Sequence, residues 1–143
     1  MIAVSRTFTV RQPVERVVAY LKDFTRAQDW DPGTVSCVRV DEGPVRAGSR
    51  WVNTSKFMGR TAVLNYRLDT LEPRHLVFRG TNEAATSCDD LSFSEVPDGT
   101  AVTYRAEIGF NGVVRIAGPL LRRPFERLAD RVVTRMTNVL EGL

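Results

Sequence analysis

Histidine occurs once in this chain, at His75, and cysteine twice, at Cys37 and Cys88, without C-x-x-C spacing. One histidine and two separated thiols offer no recognisable ligand set for zinc, so no metal or other cofactor is expected. Histidine-based nucleophilic catalysis needs a nucleophile, a base and an orienter. His75 follows Pro73-Arg74 directly and reads as a solvated turn residue instead. The glycines lack phosphate-loop spacing, which removes the usual nucleotide sites. No stretch approaches the roughly 18 consecutive apolar residues of a spanning helix. The start, Met1 to Arg6, has no basic region leading into an apolar run. The expectation is a cytoplasmic protein with no integral membrane segment.

Charge is also scarce in one form. Lysine appears only at Lys22 and Lys56, and arginine outnumbers it by roughly nine to one. The net charge of +3 permits contact with acidic ligands, membranes or nucleic acid but is too small to argue for any of them. Arg123, Arg127, Arg131 and Arg135 repeat at i+4 near the end of the chain, beside Arg122, Glu126 and Asp130. With no interleaved aromatics and with acids alongside, this row reads as a solvated helix face with local ion pairs, not a nucleic-acid surface. Transient membrane contact stays open. The hydrophobic share of 43% and charged share of 26% are those of a globular chain. A length of 143 residues suits one domain, 1–143, better than two.

Periodicity supplies the architecture. Ile2, Val4, Phe8 and Val10 alternate with polar residues as in a half-buried strand, Arg6 being the discordant inward position. Pro13 suits a first helical turn, and Val14, Val17, Val18 and Leu21 follow at i, i+3, i+4 and i+7. Asp23-Phe24 opens a second short helical segment that Trp30-Asp31-Pro32-Gly33 ends. From Thr34 to Phe110, strand-like runs alternate with turn clusters, among them Met58-Gly59-Arg60 and Pro97-Asp98-Gly99-Thr100. The connections are too short for parallel crossovers, so the strands form an antiparallel meander, seven strands with the first. Beyond Gly112, Leu121, Phe125, Leu128, Ala129, Val132, Met136, Val139 and Leu140 mark a helix, with Pro119 and Pro124 predicting a kink or separate turn before an unbroken run from about Pro124 to Leu140. The predicted class is α+β, with the long terminal helix lying across one face of a curved sheet.

This order of elements resembles the polyketide cyclase/dehydratase and lipid-transport family of the START and birch-pollen-allergen-like, helix-grip superfamily, over essentially the whole chain. Its carriers are Asp23-Phe24 with Trp30-Asp31-Pro32-Gly33, Gly48-Ser49-Arg50, Gly59-Arg60, Glu72-Pro73-Arg74, Val77-Phe78 with Gly80, and Asp98-Gly99-Thr100 leading to Val102-Thr103-Tyr104. The resemblance implies a ligand cavity between sheet and helix and, for some members, cyclase chemistry without a metal. Such a family spans carriers, receptors and enzymes, so the fold alone does not choose among them.

Strand parity identifies the inward side chains. Val102, Tyr104, Ala106, Ile108 and Phe110 share one side of the last strand, against Thr103, Arg105 and Glu107. Trp51, Asn53 and Phe57 point inward on another strand, as do Leu64, Tyr66 and Leu68 on the next. Leu76 and Phe78 join them, with Asp89 in phase with Leu91 and Phe93. One helix about 10 Å wide does not fill a wide concave face. Asn53, Tyr66, Asp89 and Tyr104 each need a partner, a water or a ligand, because an unpartnered buried polar group costs about 1–3 kcal/mol. A closed core with internal hydrogen bonds satisfies the same parity.

The expected ligand-lining set is Trp30, Trp51, Asn53, Phe57, Tyr66, Phe78, Asp89, Tyr104, Ile108 and Phe125. Trp30 suits either a gate at the mouth or a staple between the short helices and the sheet. The expected role is binding or transport of a small hydrophobic or amphipathic ligand, lipid-, isoprenoid- or polyketide-like. The alternatives are a polyketide cyclase or dehydratase using Tyr66, Tyr104 and Asp89 as acid/base groups, and an interaction module with a closed pocket. Monomer and homodimer are both compatible with the sequence.

Overall fold

In a computed structural model the backbone is described for residues 1–143, and side chains for all of these except 113–117. The elements run β1 (Ile2–Val10), α1 (Val14–Leu21), a 3-10 turn (Phe24–Arg26), α2 (Ala27–Trp30), β2 (Thr34–Arg39), β3 (Arg50–Phe57), β4 (Arg60–Glu72), β5 (His75–Thr81), β6 (Ala85–Val96), β7 (Gly99–Phe110), a 3-10 stretch (Gly112–Leu121) and α3 (Arg122–Glu141). The seven strands form one antiparallel sheet in the order β1-β7-β6-β5-β4-β3-β2. This is the helix-grip architecture that the alternation and turn chemistry predict.

Local chemistry explains the joints. Pro13 stands at the N-cap of α1, one position earlier than the expected first turn, with extended dihedrals that its ring favours. The Asp23 carboxylate caps the 3-10 turn by accepting from the Thr25 amide at 3.0 Å. Met58 and Gly59 both have positive φ, 52° and 79°, and form the two-residue turn joining β3 to β4. Pro119 falls within the 3-10 stretch, and Pro124 in the first turn of α3, where its missing amide proton breaks no intrahelical bond. The interruption predicted by the two prolines is therefore a 3-10 segment ahead of a continuous helix.

Two expectations need correction. His75 is not a solvated turn residue: it is the first residue of β5, half-buried, with Nε2 2.8 Å from Asp90 Oδ1. The turn is only two residues long, so pairing resumes at once and opposes Glu72 to His75. Nor does Asp130 pair within its own helix. Its carboxylate accepts from Arg6 Nε at 2.8 Å, linking α3 to β1 and accounting for the discordant arginine on the apolar face of the first strand.

The core fills the concave side of the sheet unevenly. Phe24, carried by the short helical turn, inserts its ring against Phe78 and Tyr66 with centroids 4.5 Å away, and against Trp30 and Trp51 at 6.0 and 6.1 Å. Leu21, Leu68, Leu76, Leu91, Met136 and Leu140 complete this end, each essentially inaccessible to solvent. Burying side chains of this size contributes about 1.5–3 kcal/mol each, so the aromatic end is the main source of stability.

Candidate functional site

The other end of the concave face is hollow. Between the sheet and the start of α3 lies a cavity of about 640 Å³, in the range of small-molecule sites. Its walls explain the vacancy. Where the closed end carries Trp51, Leu68 and Phe78, the same strands continue with Ser55 on β3 and Ala62 on β4, and their neighbours bring Ala85 and Ser87 on β6 and Ala106 on β7. Short side chains at inward positions leave space that α3 covers only with Phe125 and Leu128. Phe57 and Phe125 meet edge-on at 6.4 Å and join the β3–β4 hairpin to the helix.

Of the sequence-derived set, Asn53, Phe57, Tyr66, Asp89, Tyr104, Ile108 and Phe125 line this cavity. Trp30, Trp51 and Phe78 do not: they belong to the solid cluster around Phe24. Trp30 is 1% exposed and packs edge-on to Tyr104 at 6.0 Å, so it is a staple and not a gate. Parity reports the face a side chain takes but not how far along the strand the packing stays solid.

Two polar groups interrupt the apolar wall. In the first, Tyr104 donates from its hydroxyl to Asp89 Oδ1 at 2.7 Å, both residues buried. Burial pushes the Asp89 carboxyl up to about 7, against the opposing effect of the hydrogen bonds from Tyr104 and Tyr66, with the charge of Asp31 adding to the rise. Burial likewise holds the Tyr66 and Tyr104 hydroxyls well above their ordinary range, and the Asp89 charge reinforces this. Gly80, opposite Tyr66 in the β4–β5 pair, is what permits the Tyr66 ring to lie flat on the sheet. A β-carbon there would come within 2.5 Å of the ring.

The second group was not singled out in the sequence. Asp31, just after α2, lines the cavity and accepts from the Gly33 amide at 2.9 Å and from Thr34 Oγ1 at 2.9 Å. Thr34 Oγ1 in turn accepts from Asn53 Nδ2 at 3.1 Å, so the inward asparagine is partnered by the protein. Burial raises the Asp31 carboxyl, opposed by those hydrogen bonds and by the charges of Arg135 and Arg131. Asp31 sits in Trp30-Asp31-Pro32-Gly33, which reads as a helix stop; the pairing of an acid with Gly33 and Thr34 two and three residues on is the signal for an Asx turn that fixes a carboxylate. Both carboxylates thus line a largely apolar hollow in which burial disfavours their charged forms. Cys37, its thiol pushed up to about 11 by burial, packs as a small apolar group. No cluster of three or more histidine, cysteine or acidic groups suited to a metal occurs among the described residues.

Comparison with known proteins agrees with this geometry. A START superfamily protein from Mycobacterium smegmatis superposes with a TM-score of 0.80 at 15% identity, covering 98% of this chain and 97% of the other. The Zhui aromatase/cyclase from Streptomyces sp. R1128 gives 0.75 at 17% identity, over 98% and 91%. The di-domain aromatase/cyclase StfQ of the steffimycin biosynthetic pathway gives 0.73 at 12% identity, over 99% of this chain and 51% of that one. At these identities the likeness is one of fold. No curated protein matches the sequence. The family model described as polyketide cyclase / dehydrase and lipid transport matches residues 1–141, and with a helix-grip fold around a half-empty concave face, the chain belongs to that family.

Proposed function

We propose that the protein binds and carries a small amphipathic molecule whose apolar body fills the cavity and whose hydrogen-bonding end meets Asp89, Tyr104 and Tyr66. The observation that carries this reading is the roughly 640 Å³ apolar hollow with a deeply buried acid–phenol pair on its wall. Apolar walls supply affinity and the polar cluster fixes orientation. Near neutral pH Asp89 both donates and accepts, because burial leaves its carboxyl titrating at about 7. A ligand hydroxyl or carbonyl meets a partner in either state. Native mass spectrometry of the freshly purified full chain tests the proposal by the mass of a retained ligand. Failure of every apolar ligand to raise the melting temperature, at concentrations far above plausible dissociation constants, counts against it.

A specific observation favours a second reading, a polyketide cyclase or dehydratase. A carboxyl titrating near neutrality is suited to take a proton from an acidic carbon, and two phenols that burial keeps protonated are suited to hydrogen-bond the enolate oxygen that forms. The aromatase/cyclases that share the fold lend this support. Tyr66→Phe and Tyr104→Phe separate the readings: a carrier loses affinity alone, whereas an enzyme loses turnover out of proportion to binding.

A further inference from the structure

The rim of the cavity carries a surface of its own. At the β3–β4 hairpin tip, Met58 is 61% exposed, and its φ of 52° is a left-handed conformation that an unbranched apolar residue rarely takes. Leu120 is 80% exposed, beside Leu121, which lines the cavity just ahead of α3. The Phe57–Phe125 contact ties hairpin tip to helix start, so the two apolar tips stand on one rim. Cations flank both: Lys56 and Arg60 beside Met58, Arg122 and Arg123 beside Leu120, all exposed. None of the four makes an ion pair among the described residues. The acids in this part of the fold are Glu83 on the β5–β6 loop, Glu126 one turn into α3 and Asp31 on the cavity wall, fewer than the four cations, so the rim is net positive.

Among the described residues unpaired cations also occur elsewhere, as at Arg16, Arg46 and Arg127, and what distinguishes the rim is that its four flank two exposed apolar tips. Exposed apolar tips ringed by unpaired cations are complementary to a surface that is anionic outside and apolar a few ångströms below. We infer that the protein docks the mouth of its cavity onto anionic phospholipid membranes, with Met58 and Leu120 entering the headgroup layer and Lys56, Arg60, Arg122 and Arg123 meeting lipid phosphates. The docking is independent of what the cavity holds. Only its purpose, exchange of a ligand with the lipid phase without crossing water, rests on the carrier reading.

Co-sedimentation with vesicles tests this, comparing pure phosphatidylcholine with an equimolar mixture of phosphatidylcholine and phosphatidylglycerol. The full chain is expected to bind the mixed vesicles and not the neutral ones, and to release as salt shortens the reach of the charges. Arg122→Gln and Arg123→Gln are each expected to weaken binding about fivefold, and Leu120→Asp to abolish it. These three side chains do not line the cavity, so the variants are expected to take up Nile red from solution as the parent does. That control separates failure of docking from failure of the carrier reading. Equal binding to neutral and anionic vesicles, no binding to either, or undiminished binding by Leu120→Asp overturns the inference.

Discussion

The two ends of the concave face are built from the same strands in the same phase, yet one is solid and the other hollow. Along β6 the inward residues pass from Phe93 and Leu91 through Asp89 to Ser87 and Ala85; along β7, from Val102 and Tyr104 through Ala106 to Ile108 and Phe110, which line the far wall of the hollow. Side-chain volume drops at Ser55, Ala62, Ser87, Ala85 and Ala106 while parity stays constant, and Phe57, Ile108 and Phe110 bound the space so left. At the large end the short helices supply Phe24 and Trp30 as a plug, and at the small end the cover among the described residues comes from Leu121 and the start of α3. Stability and the proposed ligand binding thereby fall to different ends of one sheet. The acid–phenol pair Asp89–Tyr104 lies where they meet.

The largest effect that sharpens this contrast comes from removing the same side chain at each end. Phe24→Ala is expected to cost about 3–5 kcal/mol, because its ring is enclosed on all sides. Phe125→Ala, on the hollow side and half-buried, is expected to cost only about 1 kcal/mol. Urea unfolding of the two variants measures both; equal losses would mean that the open end is packed after all.

Next is the boundary itself. At pH below about 4 the Asp89 carboxyl is protonated in folded and unfolded chains alike, and its burial has no electrostatic cost. Between about pH 4 and 7 the unfolded chain ionises while the folded one keeps its proton, so stability falls as pH rises, and above about 7 the loss is constant. Asp89→Asn lacks this slope. The variant is expected to gain on the parent by up to about 4 kcal/mol between pH 4 and 8. Unfolding at a series of pH values reads the difference, and parallel curves would show Asp89 to be solvated.

The smallest effect on stability, with a large one on binding, is expected from Ala106→Leu. In a filled core the added bulk costs about 1–3 kcal/mol. Here the cavity takes it up at under about 1 kcal/mol while excluding the ligand. Nile red fluorescence and thermal unfolding, read together, test this, and loss of folding without loss of dye would reverse the comparison.

These contrasts also show what was legible beforehand. Period-two alternation and turn clusters gave the strand count and the inward faces, because each depends only on near neighbours in sequence. The extent of the hollow depends on which elements reach across it. Parity alone puts Trp51 and Phe78 with Phe57, Tyr66 and Tyr104 in the pocket wall, yet the first two pack around Phe24, which a three-residue turn brings in from another part of the chain. The informative signal was the opposite one: Ala62, Ala85, Ser87 and Ala106, small residues at inward positions, mark the vacant end. Asp31 escaped notice because a helix stop and a cavity acid use the same residue type, and only the fold brings it against Asn53 through Thr34.

The pairing of β1 with β7 carries a consequence for biosynthesis. Ile2 lies opposite Ile108, so the first strand leaves the ribosome more than a hundred residues before its partner exists. Until then its apolar face has neither β7 beside it nor α3 above it. A chain so ordered is expected to acquire its fold late, after most of translation, and to depend in that interval on whatever shields nascent strands from one another.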